Sequence, residues 1–147
     1  MKKMHMLRAL ALTGLLGLLQ TAHAVLPIAH WQQPGGARVY LVESHNIPMV
    51  DVQIDLDAGS RRDPANQPGL ASAAAVQLAS GIRAQPAGQG PYARALDENQ
   101  LGEAWADLGA SFAASATGDR LSFSLRSLTD ADLLEKVAQL AARQMAH

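Results

Sequence analysis

Gly69-Leu-Ala-Ser-Ala-Ala-Ala-Val-Gln-Leu-Ala-Ser-Gly81 is the stretch on which the fold turns. Pro68, just ahead of it, suits the first turn of a helix because its missing amide hydrogen has no partner there in any case. Gly81 supplies a C-terminal stop. These residues predict a helix from about Pro68 to Ser80. Ala71, Ala73, Ala74, Ala75 and Ala79, together with Leu70, Val76 and Leu78, make it apolar nearly all round, which predicts that it is buried.

Upstream, Val50 to Asp57 alternates strictly. Val50, Val52, Ile54 and Leu56 share one face and Asp51, Gln53, Asp55 and Asp57 the other, the pattern of a half-buried strand. Before it, Ala37 to Glu43 follows the Gly35-Gly36 turn, is rich in β-formers and reads as a first strand. The loop from Ala58 to Gln67 carries Gly, Ser, Arg, Asp, Pro and Asn, which mark a turn before the helix.

Downstream, Ile82 to Ala95 is a connection punctuated by Gly, Pro and Gln. Asp97 then caps a second helix in which Leu101, Ala104, Trp105 and Leu108 recur at i, i+3, i+4 and i+7, ending at Gly109. That spacing makes Trp105 a core residue. Ala110 to Ala116 and Leu121 to Arg126 form a hairpin around Thr117-Gly118-Asp119-Arg120. Thr129 with Asp132 predicts a capping box for a third helix, striped by Leu133, Val137, Leu140 and Ala141. The resulting class is α+β with the order β-β-α-α-β-β-α.

Taken together, the strand and Ala58-Gly59-Ser60 turn, the helix at Pro68 to Gly81, and Asp97 to Leu128 with its Leu-Gly-Ala-Ser segment and hairpin resemble the pitrilysin/insulinase (inverzincin) metallopeptidases. In that family a segment Gly-x-Ala-His-x-x-Glu-His follows such a strand and turn. The resemblance spans nearly all of the chain after residue 24. It implies the N-terminal part of a pitrilysin-type lobe, an antiparallel-rich sheet with helices packed on one face. It also places Ser72 and Val76 where two histidine ligands belong and Ala75 where the general base belongs.

Two imidazoles four residues apart on a helix hold Zn²⁺, and the carboxylate between them takes a proton from the metal-bound water. A Ser hydroxyl is a poor zinc ligand, and the side chains of Ala75 and Val76 have no lone pair. The expectation is therefore a chain without catalytic residues, metal or cofactor of its own. In active members a further metal-binding Glu comes from a helix well downstream, about where this sequence ends, and a completed lobe and a second lobe follow. The resemblance thus leads one to expect a truncated chain, with residues 25–147 a partial N-terminal domain.

The same family includes heterodimers in which one chain carries zinc and a partner lacking the motif closes the chamber. This implies a zinc-free subunit that helps an active pitrilysin-type partner grip peptides, with capture through sheet-edge pairing. The alternatives are a stand-alone structural or peptide-binding domain without a peptidase partner, and a truncated remnant.

Residues 1–24 do not belong to the fold on this reading. Lys2, Lys3 and Arg8 form a positive n-region, Leu10 to Leu19 a short apolar run, and Ala22-His23-Ala24 a small-x-small cleavage site, which together predict a signal peptide. The run is too short to cross a bilayer. The chain is expected to be periplasmic or secreted, and the absence of cysteine fits a domain stabilised by an ordinary core. Removing the signal takes away three basic residues and no acid, leaving nine basic against 13 acidic side chains, a formal charge of −4 with His neutral. That balance argues against a nucleic-acid partner.

No other metal or nucleophilic site is legible. His5 and His23 fall in the signal, and His30, His45 and His147 do not stand at helical ligand spacing, so they read as solvated residues. Asp51, Asp55 and Asp57 read as a solvent-facing strand row. Arg61 and Arg62 read as a solvated pair in the loop before the first helix. Ser72 has no His base near it in sequence.

Overall fold

The structure is a computed structural model that describes residues 26–85 and 93–146. The expected signal segment and His147 lie outside the described residues. The chain divides into two compact units, one ending at His45 and one starting at Asn46.

The first unit is an antiparallel ribbon of β1 (Ile28–Gln32) and β2 (Arg38–Val42), in register from Ile28 opposite Val42 to Gln32 opposite Arg38. Its turn closes through Gly36, at φ +90°, whose N–H donates to the Gln33 carbonyl at 2.8 Å. β2 matches the expected strand to within a residue at each end. β1 went unread, because Ile-Ala-His-Trp-Gln lacks a clear alternation.

The second unit is built on a three-stranded antiparallel sheet in the order β3 (Met49–Leu56), β7 (Leu121–Leu128), β6 (Ser111–Ala116). The alternation in β3 becomes two faces. Val52, Ile54 and Leu56 lie opposite Leu125, Phe123 and Leu121 on one side, and Asp51 and Asp55 lie opposite Arg126 and Ser122 on the other. β6 and β7 pair from Ser111 opposite Arg126 to Ala116 opposite Leu121 around the expected turn.

Helix α1 (Leu70–Gln77) continues as a 3₁₀ turn over Leu78–Ser80 and stops at Gly81. It packs on β6. The expected burial is not met: only Ala71 and Ala75 are buried, while Leu70 and Val76 are exposed. A helix with apolar residues all round has no inner face written in its sequence; here packing on one side selects the Ala71–Ala75 flank, and methyl groups occupy much of the rest.

Helix α2 (Glu98–Asp107) is capped by Asp97, as its sequence predicts, and Gln100 completes a capping box that was not read there. The Gln100 N–H donates to Asp97 at 2.9 Å and the Asp97 N–H donates to Gln100 Oε1 at 3.2 Å. Helix α3 (Ala131–Met145) is capped one residue later than expected: Asp130, not Thr129, accepts from the Leu133 N–H at 3.0 Å. Thr129 and Asp130 each stand three residues before an amide that they could cap, and Asp is at least as good an acceptor as Thr, so sequence spacing does not separate the two.

The core joins Leu101, Trp105 and Leu108 of α2 to Val137, Leu140 and Ala141 of α3, with Phe112 and Leu125 of the sheet packed against them. Trp105 stacks on Phe112 and Phe112 on Phe123, at centroid distances of 5.5 and 6.0 Å. The connection from Ile82 to Ala95 is not a plain loop. Its ends pair as β4 (Gly81–Ile82) and β5 (Leu96–Asp97), extended by Gln85 N–H donating to Ala93 O at 2.7 Å. The expected order β-β-α-α-β-β-α stands, joined by β1 and this short ribbon.

Candidate functional site: the helix on the sheet edge

In the strand-turn-helix that the resemblance compares with the zinc motif, the turn is held by backbone contacts. After β3 the Ser60 N–H donates to the Thr117 carbonyl at 2.8 Å and the Arg61 N–H to the Gly118 carbonyl at 2.9 Å. Gly59 makes that approach possible: a Cβ there would lie 2.3 Å from the Arg120 nitrogen and 2.6 Å from the Gly118 oxygen. The turn is fixed against the β6–β7 hairpin.

Asp63 then fixes the start of α1. Its carboxylate accepts from the Gly69 N–H at 2.8 Å and the Ala71 N–H at 2.9 Å, which satisfies two otherwise unpaired donors and sets a negative charge at the positive helix end. Gly69, at φ +88°, makes the turn into the helix. Sequence reasoning passed over Asp63 because it acts from six and eight residues away; the readable signal was an acid ahead of a helix start that offers no Ser, Thr, Asp or Asn cap of its own.

On α1 the three motif positions are brought together but face differently. Ser72 and Val76, one turn apart, share an exposed flank, with Val76 73% exposed. Ala75 is 6% exposed, on the flank that packs toward the sheet. Neither an aliphatic side chain nor a lone hydroxyl supplies a donor set for a divalent cation, so the residues present do not fit the zinc of the active family. Among the described residues no group of three or more His, Cys, Asp or Glu is placed to hold a metal ion.

The remaining charged candidates pair with one another at the surface. Arg126 grips Asp51 through two prongs at 2.6 and 3.0 Å and holds its carboxyl below the usual carboxylate range. The Ser122 hydroxyl, donating at 2.7 Å, does the same for Asp55, helped by Gln53 and by Arg120 at 3.0 Å. Arg62 lowers Asp57, and Arg61 pairs with Asp119. The aspartate row thus faces solvent as the sequence suggested, but each carboxylate has a basic partner. His30 stacks on Tyr40 at 6.3 Å, and His45 is exposed.

No protein-family model matches the chain, and no curated protein matches it. Solved structures do. The inactive domain of an M16 peptidase from Pseudomonas fluorescens is 32% identical, with a TM-score of 0.69 over 81% of this chain and 26% of that one. The periplasmic protease PqqL from Escherichia coli is 20% identical, with a TM-score of 0.64 over 84% of this chain and 13% of that one, and shares its fold. The chain therefore spans about a quarter of the first relative and about an eighth of the second. Among the described residues no helix is long and apolar enough to cross a membrane. With the sheet, the turn and the helix in the order that the resemblance implied, this chain belongs to the pitrilysin-like M16 peptidases, as a relative of that inactive domain.

Proposed function

We propose that this protein is a zinc-free subunit that holds extended peptides for an active pitrilysin-type peptidase, in the periplasm or as a secreted protein. The observation that carries this reading is the edge strand beside α1. β6 reads Ser-Phe-Ala-Ala-Ser-Ala, pairs only with β7 among the described residues, and carries neither a charge nor a proline. Edge strands that must avoid new partners are usually blunted by such residues. This one is left able to accept another strand, and peptide addition to a sheet edge draws on backbone hydrogen bonds that need no reactive side chain. Zinc and the hydrolytic step belong to the partner on this reading.

The test is fluorescence anisotropy with a labelled extended peptide and the purified full chain. The peptide is expected to bind saturably and to stay intact, and the double variant Ala113→Lys, Ser115→Lys is expected to weaken binding about tenfold by charging the edge. Chelator-sensitive hydrolysis by this chain alone, or equal binding by the charged-edge variant, contradicts the proposal. Co-purification with a homologue that keeps His-x-x-Glu-His separates the paired subunit from a stand-alone peptide-binding domain.

A further inference from the structure

The free edge of β6 lies below one particular flank of α1. The helix packs on β6, the outer strand of the order β3, β7, β6, with Ala71 and Ala75 buried toward the sheet. At about 100° per residue, Ala74 and Gln77 fall to one side of that buried line and Ser72 and Val76 to the other. Ala74 and Gln77 line a cleft with Leu56 of β3 and with Leu121 and Phe123 of β7, so their side faces inward across the sheet. Ser72 and Val76 therefore project the opposite way, over the edge of β6 that has no strand beside it among the described residues.

A strand added to that edge continues the alternation of the sheet. Along β6 the half-buried Phe112, Ala114 and Ala116 share the face that carries the helices, and Ser111, Ala113 and Ser115 are exposed on the other. An incoming chain turns every second side chain toward the helix layer, and there it meets Ser72 and Val76. No residue of α1 is charged. Contact between Val76 and another aliphatic group removes apolar surface from water on both sides. A polar group set against Val76 loses water and gains no partner. The other face offers only small, exposed residues of β6, which leave the alternate side chains in water.

We infer, resting on strand addition at β6, that Val76 is a specificity-determining residue for the peptides held there. They carry aliphatic side chains at alternate positions, turned toward α1, with polar residues between.

Fluorescence anisotropy of two labelled heptapeptides on the full chain tests this. One alternates serine with valine; the other has threonine in place of each valine and so keeps a β-branched shape. The parent is expected to bind the valine peptide about tenfold more tightly. Val76→Gln, at an exposed position where glutamine is the better helix former, is expected to bring the two affinities close to equality. Ala74→Gln, on the inward flank, is expected to leave the parent's ratio unchanged. Equal affinities in the parent, a ratio untouched by Val76→Gln, or an equal fall with Ala74→Gln overturns the role of Val76. The charged-edge variant Ala113→Lys, Ser115→Lys separates the two readings. If it weakens both peptides while Val76→Gln leaves their ratio alone, edge pairing stands and Val76 is not its selector; if neither peptide binds the parent saturably, both readings fall.

Discussion

Ser72 and Val76 stand one turn apart on an exposed helix flank, and their Cβ positions suit a pair of ligands even though their side chains do not. The family resemblance puts the two histidine ligands at these positions, where neither a hydroxyl nor an isopropyl group is a zinc ligand of the usual kind. Replacing both, Ser72→His with Val76→His, is therefore expected to create a two-imidazole zinc site. In thermal unfolding, Zn²⁺ should raise the midpoint of the double variant and leave that of the parent unmoved, since a ligand stabilises only a state that binds it. Peptide hydrolysis should not appear, because the methyl group of Ala75 accepts no proton. A comparable zinc-induced rise in the parent would show that other residues hold the metal.

Between elements, the buried polar contacts are few and specific. Gln144 on α3 accepts from the Trp105 indole N–H at 2.9 Å and donates to the Leu78 carbonyl at 2.8 Å, tying α3 to both α2 and the end of α1. Gln144→Leu leaves a buried donor and a buried acceptor without partners, and is expected to cost about 2–4 kcal/mol. Gln139→Leu, where the amide bonds only to Glu135 on the exposed side, should stay within about 0.5 kcal/mol. Urea unfolding compares the two, and equal losses would contradict a tying role for Gln144. This tie was not read from the sequence: Gln144 lies on the same face as Leu133, Val137, Leu140 and Ala141, but its position does not name the distant groups that it bonds. The stripe itself was legible, as were the two faces of β3 and the spacing that buries Trp105, because each repeats with the period of its element. The helix at Leu70–Gln77 was legible too, since its Pro and Gly boundaries are local. What escaped was non-local: the Asp63 brace on α1, the ribbon closed by Gln85 and Ala93, and the burial of α1 on one flank only, all of which depend on partners distant in sequence.

Across the second unit the sheet is covered unevenly. α1 packs on β6 and α3 on β7, whereas Val52, Ile54 and Leu56 on the apolar face of β3 remain exposed at 36%, 38% and 45%. Contiguous apolar surface of this kind marks an association site or an aggregation hazard. The strand carrying it is also an edge of the three-stranded sheet, although Asp51 and Asp55 place charge on its other face. The purified chain is therefore expected to self-associate as its concentration rises, read by sedimentation velocity as a growing weight-average mass. Val52→Thr with Ile54→Thr keeps two β-branched side chains in the strand while removing apolar surface, and is expected to shift the sedimentation profile toward the monomer. A parent that stays monomeric at high concentration, or a double variant that associates as strongly, would contradict the prediction. The uncharged edge at β6 would then have to account for any association that persists, and the Ala113→Lys, Ser115→Lys variant would be the one to abolish it.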